Sequence, residues 1–279
     1  MRTIAFLLAL IATAAVAQRD PPAWTRPIPP VPLIGPVTYV GTEGLAAYLI
    51  RTRAGAILID GTLEENVPAI ERNIAAIGVP LRSVKLLLNS HAHFDHAAGL
   101  ARLRRDTGAK VAAGAADAPS LREGVPPGET SYGVIRFPAV PVDRAVRDGE
   151  RLRLGEATLT AIATPGHTPG NTSWLMRVRR GGRPVDVLFL GSLTVAGNKL
   201  VGNQRYPGIV ADFRRSFARL AQVRADVILP MHPESADVLG RAKAGTLIAP
   251  DLLPKLVAEA RAAFEAELVR QQGAAAAPR

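Results

Sequence analysis

The five histidines are the most informative residues of this chain, because histidine is a common metal ligand and all five stand outside the predicted helices and strands. Three fall within six residues, in the run His91-Ala92-His93-Phe94-Asp95-His96. The other two occur singly, His167 in a Pro-Gly-His-Thr-Pro-Gly segment and His232 directly before a proline. Loops at strand ends commonly carry functional residues, so this distribution favours one shared site over five unrelated histidines.

The spacing within the run predicts two neighbouring metal positions. In an extended segment, side chains two residues apart point to the same side, so His91 and His93 can bind one metal ion. Asp95 and His96 can bind the second metal ion. Imidazole nitrogen and carboxylate oxygen both suit zinc. The two remaining histidines can complete three protein ligands at each position, which leaves the open coordination position that catalytic zinc keeps for water.

The composition restricts the other possibilities. The chain of 279 residues contains no cysteine, which excludes thiol nucleophiles, thiolate ligands and disulfides. With 48% hydrophobic and 21% charged residues, it is typical of a globular protein with a sizeable core. The formal net charge is +10, but the arginines are scattered and aromatic residues make up only 5%, so we expect no nucleic-acid partner.

Residues 1–17 predict a secretory signal peptide. A short basic start precedes an apolar run over residues 4–16, and Ala15-Val16-Ala17 supplies the small residues for cleavage after Ala17. The run is shorter than the roughly 20 residues that span a bilayer, so we expect no membrane anchor after cleavage. The prediction is a periplasmic or secreted protein with a proline-rich arm over residues 18–36 and one domain over residues 37–279.

Alternating strands and helices are predicted around these loops. Strands are expected at residues 37–40, 45–51, 56–60, 84–88, 110–113, 145–146, 151–154, 158–163, 172–178, 185–190 and 227–229. Helices are expected at residues 67–77, 100–105, 114–122, 209–223, 235–242 and 252–270, followed by an Ala-rich tail that frays. Strands followed by helices recur once in each half, which predicts two similar halves packed face to face as one α/β domain.

The run of residues 91–96, together with His167 and His232, resembles the metal-binding positions of the metallo-β-lactamase superfamily. The resemblance covers roughly residues 37–242. It implies a four-layer αβ/βα sandwich with a dinuclear zinc site at one edge of the two sheets. It also implies that the first zinc is held by His91, His93 and His167 and the second by Asp95, His96 and His232.

Three observations narrow the resemblance to class B β-lactamases of the third subclass. Thioesterases of the glyoxalase type, lactonases and RNA-processing relatives usually carry a metal-bridging Asp where this chain has Ser192, in the run Phe189-Leu190-Gly191-Ser192-Leu193-Thr194. Two β-lactamase subclasses place a cysteine ligand near that point, and this chain has no cysteine. The second metal retains His96 and His232. Longer segments that match the third subclass are residues 90–99, 164–174, 202–207 and 212–217.

The resemblance implies a zinc-dependent hydrolase that opens the β-lactam ring of penicillins, cephalosporins and carbapenems through a zinc-bound hydroxide. Asp95 is expected to orient that hydroxide as well as to bind metal. We expect the substrate carboxylate to meet the hydroxyls of Ser192 and Thr194, and Asn198 to assist the carbonyl oxygen. A small-molecule β-lactam is the one expected partner, and the expected state is a monomer.

Two other functions remain open at this point. One is an exported dizinc lactonase or thioesterase on the same scaffold, which needs the same metals but a different anchor for its substrate. The other is a metal-binding protein without catalysis, against which the open coordination positions argue. Trp24 in the proline-rich arm and Tyr132 in a long loop are candidates for the wall of the substrate cleft, although ordinary packing is the favoured interpretation of both.

Overall fold

The computed structural model describes residues 20–276, in which strands and helices alternate along the chain. The signal peptide predicted for residues 1–17 lies outside the described residues. Within the described part, no helix is both long enough and apolar enough to cross a membrane.

The first half of the chain builds a mixed seven-stranded sheet, ordered β1 to β7. Its strands are β1 (Val31–Ile34), β2 (Val37–Tyr39), β3 (Tyr48–Thr52), β4 (Gly55–Ile59), β5 (Val84–Leu88), β6 (Lys110–Gly114) and β7 (Arg144–Val146). Strands β1 to β4 pair antiparallel, and β4 to β7 pair parallel. The strand predicted at residues 84–88 is β5, which lies between two parallel neighbours, where a continuous hydrophobic run is typical.

The second half builds a five-stranded sheet in the order β12-β11-β10-β9-β8. Its strands are β8 (Arg151–Leu154), β9 (Ala157–Ala163), β10 (Thr172–Arg180), β11 (Arg183–Leu190) and β12 (Val227–Pro230). Strands β10 and β11 form a hairpin, which turns at Gly181 and Gly182 with φ of 57° and 80°. Glycine adopts these left-handed angles without steric cost, so the tight turn forms there.

Helices cover the outer faces of both sheets, which confirms the predicted four-layer α/β sandwich. They are α1 (Val67–Ala76), α2 (Phe94–Ala97), α3 (Leu100–Thr107), α4 (Ala118–Glu123), α5 (Ile209–Leu220), α6 (Val238–Ala244) and α7 (Leu252–Ala276). One core, with Tyr48, Trp174 and Phe189, lies between the two sheets. A second core joins the first sheet to α1 and α3, and a third joins the second sheet to α5 and α7.

Three features of the structure differ from the sequence predictions. Strand β1 forms inside the segment predicted as an extended arm, and it accommodates Pro32 because it is an edge strand. Helix α7 continues to Ala276, so the prediction that the Ala-rich tail frays is wrong for residues 271–276. The residues that follow His93 are not extended, because Phe94–Ala97 forms one helical turn.

Candidate metal centre

The histidine run begins where β5 leaves the first sheet. Asn89 still donates its backbone N–H to Ala112, 3.0 Å away, and the chain then turns into a buried loop. His91 and His93 are 1% and 4% exposed, so both rings are enclosed by protein. His93 has extended backbone angles and precedes α2, whose short helical turn carries Asp95 and His96. The predicted pair of His91 and His93 therefore comes from the loop, and the second pair comes from the helical turn.

His167 is held by the tight loop between β9 and β10. Thr164 and Asn171 close the base of this loop through a backbone hydrogen bond of 2.9 Å. The Nδ1 atom of His167 donates to the carbonyl oxygen of Thr194, 2.7 Å away. Because a carbonyl oxygen only accepts, this bond fixes the proton on Nδ1 and leaves the lone pair of Nε2 free to bind a metal.

His232 follows β12 and begins the short 3-10 turn Pro233–Ala236. Its side chain is 26% exposed, more than those of Asp95 and His96, at 10% and 0%. The ring of Trp24, from the N-terminal arm, lies against it with ring centroids 5.5 Å apart. The arm therefore contacts the site directly.

Three buried imidazoles form a first group of donor atoms, which we call the first triad: His91, His93 and His167. One donor atom from each lies within 4.8 Å of the others. His93 Nδ1 and His167 Nε2 are 2.9 Å apart, and His91 Nε2 is buried without a hydrogen-bond partner. A buried imidazole nitrogen without a partner is costly, and a metal ion would satisfy it. This donor set therefore fits a zinc ion.

Asp95, His96 and His232 form the second triad. Their facing atoms are Asp95 Oδ2, His96 Nε2 and His232 Nε2, which lie 3.1, 3.2 and 3.3 Å from one another. A tetrahedral zinc with bonds of about 2.0–2.1 Å separates its ligand atoms by roughly 3.3 Å, so the spacing of this triad also fits zinc. His91 lies within 4.8 Å of Asp95 and His96, so the two triads adjoin.

Asp60 supports the second triad from behind. Its Oδ2 atom lies 3.2 Å from His96 Nδ1, the ring nitrogen that faces away from the triad. The same carboxylate accepts hydrogen bonds from the backbone and the hydroxyl of Ser90, at 2.7 and 2.6 Å. A carboxylate behind a metal-binding histidine orients the ring and raises its basicity. Asp60 was not among the predicted site residues, although its place at the end of a predicted strand was a signal.

The electrostatics of the site favour cation binding. Burial lowers the pKa of His93 to about 4 and holds the pKa of His91 and His167 well below the ordinary value, so these rings are neutral at neutral pH. Burial alone would raise the pKa of Asp95, but His96 beside it holds that pKa well below its ordinary range. Neutral imidazoles and an ionised carboxylate are the forms that bind zinc, so the first triad is ready for a metal ion. Burial alone would lower the pKa of His96, but Asp95 and Asp60 raise it to about 10, so zinc binding to the second triad must displace the proton of that ring.

A cleft of about 930 Å³ opens over both triads. It is lined by His93, Asp95, His167 and His232, and its walls come from four separate segments. These segments are the N-terminal arm, a loop around Tyr132, the loop over residues 190–197 and one face of α7. Trp24 and Tyr132 both line the cleft, as the candidate role predicted, and Trp24 also packs against Phe94 and His232. A cleft of this size can hold a small organic substrate beside the metal positions.

The structure places two of the three predicted substrate residues in the cleft. Ser192 and Thr194 line it, and their hydroxyl oxygens are 3.1 Å apart. Asn198 is 1% exposed and is not among the lining residues. Its side-chain nitrogen already donates to the carbonyl oxygens of His167 and Val195, at 3.0 and 2.8 Å. The structure therefore gives Asn198 a role in holding the His167 loop and does not place its side chain in the lining of the cleft.

Comparison with known proteins agrees with this architecture. Residues 41–232 match the family model described as the metallo-beta-lactamase superfamily. The solved structure of BJP-1, a subclass B3 metallo-β-lactamase of Bradyrhizobium japonicum, superposes with a TM-score of 0.86 at 40% identity. That match covers 91% of this chain and 98% of BJP-1.

A second structural relative differs within the ligand run. The metallo-β-lactamase of Cronobacter sakazakii described by its HARLDQ motif is 38% identical, with a TM-score of 0.83 and coverage of 90% of this chain and 98% of that one. Where HARLDQ has Arg and Gln, this chain has His93 and His96. The present chain thus has a metal-binding side chain at every one of the six predicted ligand positions.

Curated relatives carry a different name. A hydroxyacylglutathione hydrolase of Cereibacter sphaeroides is 35% identical over 128 residues, which is 46% of this chain and 42% of that protein. The chain thus spans less than half the length of this curated relative. It is similar both to β-lactamases and to a hydroxyacylglutathione hydrolase. The choice between these two activities depends on the residues in the cleft.

Proposed function

The chain belongs to the metallo-β-lactamase superfamily, and we propose that it is a zinc-dependent hydrolase that opens the β-lactam ring of penicillins, cephalosporins and carbapenems. The observation that carries this proposal is the pair of adjoining triads at the floor of a cleft that has Ser192 and Thr194 in its wall. Likeness over nearly the whole chain to subclass B3 β-lactamases supports the same choice.

The six predicted ligands hold two metal ions in this proposal, the first in the first triad and the second in the second triad. When bound, zinc would make a water molecule nucleophilic near neutral pH, and the metal ion itself would polarise a carbonyl oxygen. All five histidines of the chain belong to the triads, so none is left for separate acid–base catalysis. Asp95 lines the cleft and stays ionised, so its carboxylate can accept a hydrogen bond from the attacking water and orient it.

Ser192 and Thr194 receive the substrate carboxylate. Their hydroxyls are adjacent and belong to the loop that accepts the hydrogen bond from His167, so they are fixed relative to the first triad. Among the described residues that line the cleft, none is Lys or Arg, so hydroxyl donors carry this role. Trp24, Tyr132 and Ile135 add apolar walls for the substituents of the β-lactam ring.

A thioesterase is the alternative that a specific observation favours, because the curated relatives are hydroxyacylglutathione hydrolases. Against it stands Ser192, which occupies the position of the metal-bridging Asp expected of that group. Its side chain bonds to the hydroxyl of Thr194, and its backbone is held by Asn171 through two hydrogen bonds of 3.0 and 3.1 Å. These contacts make Ser192 part of the cleft wall.

Kinetics with the purified, zinc-loaded protein test the proposal. We expect hydrolysis of nitrocefin and of a carbapenem, and loss of both activities after treatment with a chelator. The comparison substrates are a hydroxyacylglutathione thioester and an acyl-homoserine lactone. Turnover of either comparison substrate above that of every β-lactam would favour the alternative, and two bound zinc ions without β-lactam turnover would refute the proposal.

Export belongs to the same proposal. The predicted leader over residues 1–17 and the predicted cleavage after Ala17 support a periplasmic or secreted enzyme. N-terminal sequencing of the protein recovered from the periplasm of an expressing bacterium should begin at Gln18. An intact Met1 on a protein that remains in the cytoplasm would contradict export.

A further inference from the structure

Asp117 is a fully buried carboxylate to which neither the sequence analysis nor the proposed reaction gives a role. It lies between β6 and α4 and has no measurable exposure to solvent. Its side chain accepts three hydrogen bonds. Ala92 N and Thr168 Oγ1 donate to Oδ2 at 2.8 and 2.6 Å, and Gly170 N donates to Oδ1 at 2.7 Å.

The three donors belong to the two segments that supply the first triad. Ala92 stands between His91 and His93, and Thr168 directly follows His167. One carboxylate therefore bonds to the neighbours of all three triad residues. Since the two segments come from different halves of the chain, Asp117 is a direct polar connection between them.

The surroundings of Asp117 leave no room for other arrangements. A side chain at Gly170 would begin 2.3 Å from the backbone nitrogen of Asp117, and one at Gly114 would begin 2.0 Å from the carbonyl oxygen of Gly170. Real Cβ atoms do not approach this closely, so the loops meet backbone to backbone. A further bond of 2.8 Å, from Thr172 N to the carbonyl oxygen of Ser90, joins the same two segments.

The charge of Asp117 is unusual for its place. Its hydrogen-bond partners within the described chain include no Lys, Arg or His side chain. Burial raises the pKa of Asp117 to about 6, although the three hydrogen bonds oppose this, so the group is ionised at neutral pH. A buried anion without a cation costs stability, and its presence next to the segments of a cation site indicates a role toward that site.

We propose that Asp117 is a positioning residue of the first metal triad, which fixes the His91–His93 segment against the His167 loop at the separation that one metal ion requires. An asparagine at this position cannot do the same, because its NH2 group would face a backbone N–H that needs an acceptor. The inference rests on the metal site of the proposed function and does not depend on which substrate the enzyme hydrolyses.

Metal titration tests the inference without a substrate. His232→Ala removes one donor from the second triad, so zinc binding in that background, measured by competition with a chromophoric chelator, reports mainly the first triad. Adding Asp117→Asn should weaken this binding by about 10–100-fold, the range typical when partners behind a ligand are lost. Thr168→Val removes one of the three bonds and should cause a smaller loss.

Asp226→Asn is the matched control, because Asp226 also accepts a backbone N–H, from Asp186 at 2.8 Å, but lies directly before β12, at the end of that strand opposite His232. Its zinc affinity should stay within about threefold of the parent, well below the loss typical of partners behind a ligand. An unchanged affinity in Asp117→Asn would overturn the inference, and so would an equal loss in Asp226→Asn. If Asp117→Asn fails to fold, Thr168→Val decides, and an unchanged affinity in that variant refutes the proposal. A protein that shows these affinities but hydrolyses no β-lactam would contradict the proposed function alone.

Discussion

The residues of the site divide into those that face a metal and those that hold them in place. His167 shows both sides of this division in one ring, since Nε2 faces His93 while Nδ1 donates to Thr194. His96 shows the same pattern, with Nε2 in the second triad and Nδ1 toward Asp60. At His167 the hydrogen bond to Thr194 fixes which nitrogen carries the lone pair, and at His96 the nearby Asp60 carboxylate raises the basicity of the ring, so the holding residues take part in defining the metal site.

Ser192→Ala tests the anchoring role at the level of one hydroxyl. Hydrogen bonds to a charged group contribute about 1.5–3 kcal/mol, so KM for a carboxylate-bearing β-lactam should rise roughly tenfold or more while kcat changes little. Steady-state kinetics on nitrocefin measure both constants. Ser83→Ala is the control, because Ser83 is a half-buried serine whose hydroxyl bonds to the carbonyl oxygen of Pro80. A fall in kcat with KM unchanged would show that Ser192 does not anchor the substrate.

The stability of the metal-free protein should reveal the cost of the Asp117 charge. The folded pKa, about 6, lies above the ordinary 3.8, so the folded state holds the proton more tightly than the unfolded state. The contribution of Asp117 to stability is therefore fully present below about pH 4 and is lost as pH rises through 6, by about 3 kcal/mol.

Urea unfolding of the metal-free wild type and of Asp117→Asn at pH 4 and pH 7 measures this contribution. The difference between the two proteins removes the effect of the histidines that titrate in the same range. Wild type should lose stability relative to the variant as the pH rises. A difference in unfolding free energy between the two proteins that is constant with pH would mean that burial does not raise the pKa of Asp117.

The ligands were predictable from sequence because their identity depends on residue type and short spacing. Asp60 and Asp117 were not, because their roles depend on which donors the fold brings to them from other segments, such as Ala92 and Thr168. Asn198 shows the reverse error. The family resemblance placed it near the substrate, while the fold turns its amide toward the backbone of His167.

At the scale of elements, the cleft depends on α7, which lies far from the ligand run in sequence. Leu253, Val257 and Phe264 bury this helix in the third core. Beyond them, Gln271 donates to the carbonyl oxygen of Asn198 at 3.0 Å and accepts from Leu200 N at 2.7 Å. The helix thus holds the end of the loop that carries Ser192 and Thr194. Patterns of hydrophobicity predicted the helix, but they could not predict that its polar last turns dock on this loop.

Gln271→Ala should therefore loosen the substrate loop. Loss of the acceptor exposes Leu200 N, so hydrogen exchange of residues 198–201 should become faster and KM for β-lactams should rise. Arg270→Ala is the control from the same turn, since Arg270 bonds only to Glu267. Equal exchange rates in the Gln271 variant and wild type would show that the helix does not hold the loop.

At the scale of the whole molecule, the metal centre lies at the interface between the two halves of the domain. The first sheet supplies the run of residues 91–96, and the second supplies His167 and His232. Hydrogen bonds also cross this interface. Tyr48 Oη donates to the carbonyl oxygen of Pro230 at 2.6 Å, and Ala46 N donates to the carbonyl oxygen of Met231 at 2.9 Å. A metal held by ligands from both halves therefore acts as a further cross-connection, which matters in a chain without cysteine.

Zinc should accordingly stabilise the entire fold and not only the cleft. A ligand at 100 times its dissociation constant adds about 2.7 kcal/mol of stability, and each kcal/mol raises Tm by about 2–4 °C in a domain of this size. Removal of zinc with a chelator should then lower Tm by roughly 5–10 °C, and readdition of zinc should restore it. Scanning calorimetry over a series of zinc concentrations measures the shift, with magnesium as the control cation, because imidazole ligands suit zinc far better. His167→Ala, which removes the ligand that the second sheet gives to the first triad, should lose a large part of the zinc-dependent rise. A Tm that is independent of zinc in the wild type would mean that the triads do not connect the two halves through a metal.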